Sequence, residues 1–204
     1  MLTVSDDGRD ESLCLDFANT VSNVDDPASH DELDSYASLV EWARERGCID
    51  DVRVDDLALR AKRDPRAASS ALAEAKELRG AIFGCMRALA KGALPPRACL
   101  KLMNRFVEPA LAGARLQTAG ASIAWAWPHG DGFVAPLLSP IARSAARLLT
   151  SPDTPPIVEC ASRTCTWLVM DTTKNHSRKY CTSQGCGNRT RVRMFYARQR
   201  AAKR

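Results

Sequence analysis

Four cysteines toward the C-terminal end of this 204-residue chain stand in two closely spaced pairs, Cys160-Ala-Ser-Arg-Thr-Cys165 and Cys181-Thr-Ser-Gln-Gly-Cys186, with fifteen residues between them. Thiolates paired in this way can close a tetrahedron around Zn²⁺ and leave no open position for water or substrate. The chemistry implied is a single structural zinc ion held by Cys160, Cys165, Cys181 and Cys186. Two disulfides could use the same residues. The chain, however, opens Met1-Leu-Thr-Val-Ser-Asp-Asp-Gly, without the basic and apolar regions of a secretory leader, so a reducing, cytoplasmic setting is expected. His176 lies between the pairs and could replace one thiol, but flanked by Asn175 and Ser177 it reads more simply as a loop residue. Cys14, Cys48, Cys85 and Cys99 are scattered singly and read as small core side chains.

A second pattern is electrostatic. The net charge of +5 hides an asymmetry: residues 157–204 carry 11 Lys and Arg against Glu159 and Asp171, a net +9, which leaves 18 basic and 22 acidic side chains, a net −4, in residues 1–156. Charge concentrated beside the cysteines is the footprint expected of a phosphate-binding surface. Its members are Arg178 and Lys179 before the second pair and Arg189, Arg191, Arg193, Arg198 and Arg200 after it. The planar fork of Arg matches phosphate and guanine acceptors. DNA is therefore the expected partner. No apolar run approaches the roughly 20 residues of a membrane span, so no membrane partner is expected. No P-loop, Gly-x-Ser-x-Gly, His-Glu-x-x-His or dinucleotide fingerprint appears, and the chain is not read as an enzyme.

The elements that must position these residues follow from periodicity. Ser12 to Val21, with Leu13, Leu15, Phe17 and Val21, alternates as a buried strand or irregular segment in which Asp16 and Asn19 hydrogen-bond backbone. Ser35 caps a helix over 36–46 that Gly47 stops, and a short helix starts at Asp55 or Asp56 and is limited by Pro65. The Ala- and Leu-rich stretch 67–91 is the best helix. Pro95-Pro96 opens the next, which Glu108-Pro109 bends or interrupts. Between Arg115 and Val134 the period falls to two: a hairpin turning at Ala119-Gly120, then a second turn at His129-Gly130-Asp131-Gly132. Trp125 and Trp127 alternate on one face, which reads as the side that packs on helices in preference to a ligand pocket. Residues 137–149 form a last helix before the stiff Ser151-Pro-Asp-Thr-Pro-Pro156 linker. Within the cysteine module, strands are expected at 167–170 and 178–181, then a helix over 188–202. That helix would bury Val192, Phe195 and Tyr196 against the module, with arginines on both shoulders.

Cys160 through Arg204 resembles the CGNR-type zinc finger, on the tetrapeptide Cys186-Gly187-Asn188-Arg189 together with Trp167, Asp171, Lys174-Asn175-x-Ser177-Arg178 and Tyr180-Cys181. Tyr180 stands where that family usually has Trp, and Val169-Met170-Asp171 where it has Phe-Leu-Asp. Leu13-Cys-Leu-Asp16-Phe17-Ala-Asn19-Thr20 and Glu41-Trp42-Ala43 resemble the ABATE domain that precedes this finger. The resemblance implies a stress-linked bacterial transcription regulator with a treble-clef finger.

The fold class expected is α+β: a mainly helical N-terminal domain with a small antiparallel sheet (1–150), the Pro-rich linker (151–156) and a treble-clef-like four-cysteine zinc finger with a basic C-terminal helix (157–204). The N-terminal domain is expected to fold independently and to sense a small-molecule effector or form a homodimer, with Asp16, Asn19 and Arg79 as the candidate effector pocket. The competing reading is a zinc-stapled module that binds RNA or an acidic protein.

Overall fold

Ser35, Asp50 and Asp64 each stand where a polar turn meets the first apolar-periodic residue, and each caps a helix. Ser35 Oγ accepts the Ser38 N–H while the Ser38 hydroxyl accepts the Ser35 N–H, a reciprocal box that starts α2 (Tyr36–Glu45). The Asp50 carboxylate accepts the Arg53 N–H at 2.9 Å and starts α3 (Asp51–Arg63) four residues before the expected Asp55. Asp64 accepts the Ala67 N–H at 3.0 Å, and Pro65, whose missing donor is harmless in a first turn, opens α4 (Pro65–Ala90). The structure, a computed structural model, describes residues 10–127 and 131–202. Residues 1–9 and the His129-Gly130 part of the second turn lie outside the described residues.

The expected strand at 12–21 is instead a helix, α1 (Asp10–Ala18). Leu13, Leu15 and Phe17 are buried as the alternation implies, but so are Cys14 between them and Ala18 after them. A helix apolar on nearly every side has no single stripe for a periodicity argument to find. It lies against α4 and against α6 (Ala135–Thr150), with α5 (Arg97–Leu111) packed on those two helices and α2 and α3 at the flank. α5 also runs through the expected break, because Pro109 falls in its last turn, where the missing N–H forfeits only one ladder bond.

Strands β1 (Arg115–Ala119) and β2 (Ser122–Ala126) form the expected antiparallel hairpin, with Leu116 opposite Trp125 and Thr118 opposite Ile123. Gly120, at φ 60°, takes the positive dihedral of the two-residue turn. The hairpin meets the helices only in part: Ala126 is buried and Trp127 lies 4.4 Å from the Arg143 guanidinium of α6. Leu116, Ile123 and Trp125 remain 64, 73 and 50% exposed.

The finger begins with β3 (Ile157–Glu159) paired antiparallel to β4 (Leu168–Met170). The partner of β4 is thus the strand leaving the linker, and 178–181 is not a strand; it is tied in by the Ala161 N–H donating to the Lys179 carbonyl at 2.8 Å. A single π-helical turn, Ser183–Gly187, leads into α7 (Asn188–Ala202), whose bounds match expectation. A Cβ on Gly187 would lie 3.1 Å from the Thr182 carbonyl and 3.6 Å from the Tyr180 ring, so glycine here permits close approach of the chain.

The linker does not part the finger from the main core, although the four cysteines form a second small cluster with Trp167, Val169 and Tyr180. Ile157 and Leu168 are buried in the same apolar cluster as Phe17, Leu78, Ile82 and Ile141. Polar bonds reinforce the joint: Asn19 binds the Leu168 backbone, the Trp167 indole donates to the Val21 carbonyl at 3.1 Å, and Arg87 on α4 reaches both Asp25 (2.6 Å) and Glu159 (2.8 Å). This shared packing runs against an N-terminal part that folds independently.

Candidate metal centre and basic helix

The first cysteine pair sits on the loop that follows β3, and the second brackets the turn that becomes α7, so backbone geometry folds the two pairs face to face. The Cys160 N–H donates to the Trp167 carbonyl at 2.8 Å, and the Gly185 N–H to the Thr182 hydroxyl at 2.9 Å, which shapes each loop. All four sulfur atoms lie within 4.8 Å of one another, and all four residues are buried. Cys165 Sγ and Cys181 Sγ are 3.9 Å apart. A tetrahedron with Zn–S distances of about 2.3 Å has S···S edges of about 3.8 Å, so the donor set fits zinc. None of the eight cysteines forms a disulfide. His176 is no part of the cluster; it adopts φ 46° in the preceding turn, with Nδ1 3.3 Å from the Asp171 carbonyl.

Cys165, Cys181 and Cys186 differ in how readily they ionise. Burial pushes the Cys165 thiol well above its ordinary range and the Cys181 thiol to about 11. At Cys186 burial acts in the same sense, but hydrogen bonds from Arg189 and from the neighbouring thiols outweigh it and lower the value to about 7. Four cysteine ligands give a structural zinc site with a closed shell, whose binding free energy would be folding free energy for this module.

The seven basic residues singled out by sequence divide. Arg189 donates to Cys186 Sγ at 3.1 Å and so offsets the charge of the thiolate cluster. Arg178 is turned inward, with Nε on the Tyr180 carbonyl (3.2 Å), Nη1 on the Met170 carbonyl (3.1 Å) and Nη2 on the Cys181 carbonyl. It is a clamp on the second knuckle. Asp171 completes that clamp: its buried carboxylate accepts from the Thr173 hydroxyl, the Arg178 N–H and the Thr173 N–H, which hold its pKa below the usual value. Arg191 touches the Ser183 carbonyl at 3.2 Å from an exposed position. Lys179, Arg193, Arg198 and Arg200 are exposed. The apolar stripe of α7 is not buried as expected: Val192 and Met194 are exposed, and Phe195 and Tyr196, in edge contact at 5.6 Å, are each 57% exposed. The reason is geometric, since among the described residues α7 packs only on the π-helical turn at its start.

Asp16, Asn19 and Arg79, the candidate effector residues, are each bonded within the chain. Asp16, whose carboxyl burial raises against the opposing pull of Arg46, pairs with Arg46 at 2.5 Å. Asn19 is spent on Leu168. Arg79 forks onto both oxygens of Asp31 at 2.6 and 2.8 Å and onto the Thr20 hydroxyl at 2.9 Å. These are bonds that hold segments together. Sequence reasoning missed Asp31 as the partner of Arg79, because a loop Asp among several carries no distinguishing pattern. It also gave no role to the Asn104, Arg143 and Arg147 side chains, which share a cavity with Trp125 and Trp127.

Comparison with known families agrees with this geometry. A family model described as "ABATE: Putative stress-induced transcription regulator" matches residues 11–152, and the CGNR zinc finger model matches residues 157–199, in that order. The chain belongs to the ABATE family. Its second match contains all four clustered cysteines, so the site is the CGNR zinc finger with one structural zinc. Neither family is an enzyme family. No curated protein matches the chain. Among the described residues no helix is long and apolar enough to cross a membrane.

Proposed function

We propose that this ABATE protein is a zinc-dependent DNA-binding transcription regulator of the cytoplasm, in which the finger presents a basic helix to duplex DNA and the N-terminal domain senses an effector or dimerises. The observation that carries this reading is α7 itself. It leaves the zinc-held turn with Arg191, Arg193, Arg198 and Arg200 on its exposed surface and, among the described residues, no other element packed along its length. A helix fixed at one end by a treble-clef-like site and otherwise free can enter a groove, and arginine offers phosphate and guanine acceptors a matching fork. Lys179 adds a cation beside the second knuckle.

A second reading draws support from Phe195 and Tyr196, whose exposed rings suit unstacked bases or an apolar partner surface. Titrating salt against binding of the zinc-loaded chain to duplex DNA, single-stranded RNA and an acidic polymer separates the two. Duplex preference at every salt concentration supports the DNA reading; RNA preference, or indifference among the three, defeats it.

A further inference from the structure

We propose that the exposed face of the β1–β2 hairpin, together with the cleft it shares with α5, is a two-fold interface between two copies of this chain. Such pairing rests on the dimerising reading of the N-terminal part and is independent of DNA binding.

The hairpin leaves its large apolar side chains to solvent. Successive strand residues point to opposite faces and cross-strand partners to the same one, so Leu116, Thr118, Ile123 and Trp125 share a face. All four are exposed, whereas Gln117, Ala119, Ala124 and Ala126 on the other face are partly or fully buried. Trp125 carries the exposed face into a cleft of about 710 Å³, where Leu94, Leu100 and Leu111 are 89, 38 and 46% exposed. Leu94, Leu100, Leu111, Leu116, Ile123 and Trp125, at roughly 200 Å² each and exposed to these extents, present about 700 Å² per copy; a standard specific interface takes about 800 Å² from each partner. The largest apolar patch of a monomer is ordinarily about 300–600 Å².

Shape and charge name the occupant. Leu116 and Ile123 project beside a hollow on the same surface, and a two-fold pair requires that each copy supply both projection and recess. In the pair, Leu116 and Ile123 of one copy fill the cleft of the other, with Trp125 as the anchor common to both halves. A two-stranded hairpin is marginal alone, and the second copy supplies the apolar layer that this one lacks. The patch offers nothing by which a charged partner could be chosen. Its hairpin face carries no charged residue. In the cleft, Arg143 is held by the Ala110 carbonyl at 3.3 Å and by the Trp127 ring, and Arg147 is likewise engaged within the chain. Interface centres are depleted in charge and rich in Trp in this way. The exposed apolar side chains of α7, by contrast, are interleaved with Arg191, Arg193 and Arg198, whose like charges would oppose a second copy.

Sedimentation of the zinc-loaded full chain without DNA tests the pairing. The chain should be a dimer at micromolar concentration, an ordinary affinity for an interface of this size. Ile123→Glu, at a 73% exposed position, should weaken pairing about 100-fold or more, because the two-fold axis buries the unpaired carboxylate twice. Leu116→Glu should do the same, with unchanged circular dichroism and zinc content showing that the variants are folded. Phe195→Glu on α7 should leave pairing intact. On dilution of the parent, the indole resonance of Trp125 should shift while that of the buried Trp42 stays, a readout that needs no variant. A parent that sediments as a monomer at its highest soluble concentration overturns the proposal; if a neutral naphthyl probe then shifts Trp125 saturably, the face belongs to a small apolar ligand. A dimer that survives both hairpin variants, or that only Phe195→Glu dissociates, places the contact elsewhere and overturns it as well. With no duplex present, failure here leaves the DNA reading standing.

Discussion

The side-chain amide of Asn19 grips the backbone of Leu168 from both sides of one residue: Nδ2 donates to the Leu168 carbonyl, and Oδ1 accepts the Leu168 N–H, each at 2.8 Å. Leu168 lies in β4, whose other edge is already paired with β3, so Asn19 takes the place of a missing neighbour strand. One residue after the end of α1 therefore ties the N-terminal helix to the zinc finger.

Asn19→Ala would leave a donor and an acceptor of Leu168 unmatched in a partly buried position. Each unmatched group costs about 1–3 kcal/mol, less where water can enter, so about 2–3 kcal/mol is expected in all. A urea midpoint shifted without a change in slope, and zinc content unaltered, would show it. A midpoint within error of the parent would mean the bonds are replaced by water at no cost.

The shared core has a consequence for metal removal. Cys181→Ser or chelation should lower the thermal midpoint of the whole chain, because loosening β3 and β4 exposes Ile157 and Leu168 of the main apolar cluster. Zinc at about 10–16 kcal/mol apparent binding free energy is large enough to dominate. For the same reason a chain ending at Thr150 should aggregate or bind a dye for exposed apolar surface. A truncated chain melting as cooperatively as the parent would restore the picture of two separate units.

What could be read from sequence was whatever rests on local spacing. The paired cysteines, the capping residue Ser35, the hairpin turn at Gly120 and the bounds of α7 all follow from residues within a few positions of one another. What failed was long-range. α1 is covered from several sides by helices distant in sequence, so its pattern lost the stripe of a helix. Arg178 and Arg189 counted as surface charge until their carbonyl and sulfur partners were seen. Trp125 and Trp127 had the alternation of a packed face, yet nothing local could say that Trp125 would stay half-exposed while Trp127 meets Arg143 of a helix distant in sequence.

Acid should find Asp31. Burial alone would raise its carboxyl, but hydrogen bonds from Arg79, the Leu33 N–H and Lys76 prevail and hold it well below the usual carboxylate range. Its folded pKa is depressed, so its contribution is complete above the ordinary value near pH 4 and is lost as pH falls toward the folded one. Arg79→Met should cost about 2 kcal/mol at neutral pH, the scale of a hydrogen-bonded charge pair partly open to solvent, and should flatten the decline below about pH 4. Urea midpoints of parent and variant that fall in parallel over that range would assign the acid sensitivity elsewhere.

The final expectation separates arginines that hold the finger from those offered to DNA. Arg189→Gln removes the donor on Cys186 Sγ and should weaken zinc binding by about 10–100-fold, as loss of a ligand's supporting partner does. Arg193→Gln with Arg198→Gln touches neither sulfur nor carbonyl among the described residues and should leave zinc affinity alone. If Lys179, Arg191, Arg193, Arg198 and Arg200 meet four or five phosphates, the log–log salt slope is about −4, and the double variant should flatten it by nearly 2. Zinc competition against a colorimetric chelator and duplex binding at several salt concentrations give the two readings on the same preparations. An Arg193, Arg198 variant that keeps its zinc and binds duplex with the parent's slope would remove α7 as the DNA-contacting element, and the exposed Phe195–Tyr196 face would then mark it as a docking helix for another macromolecule.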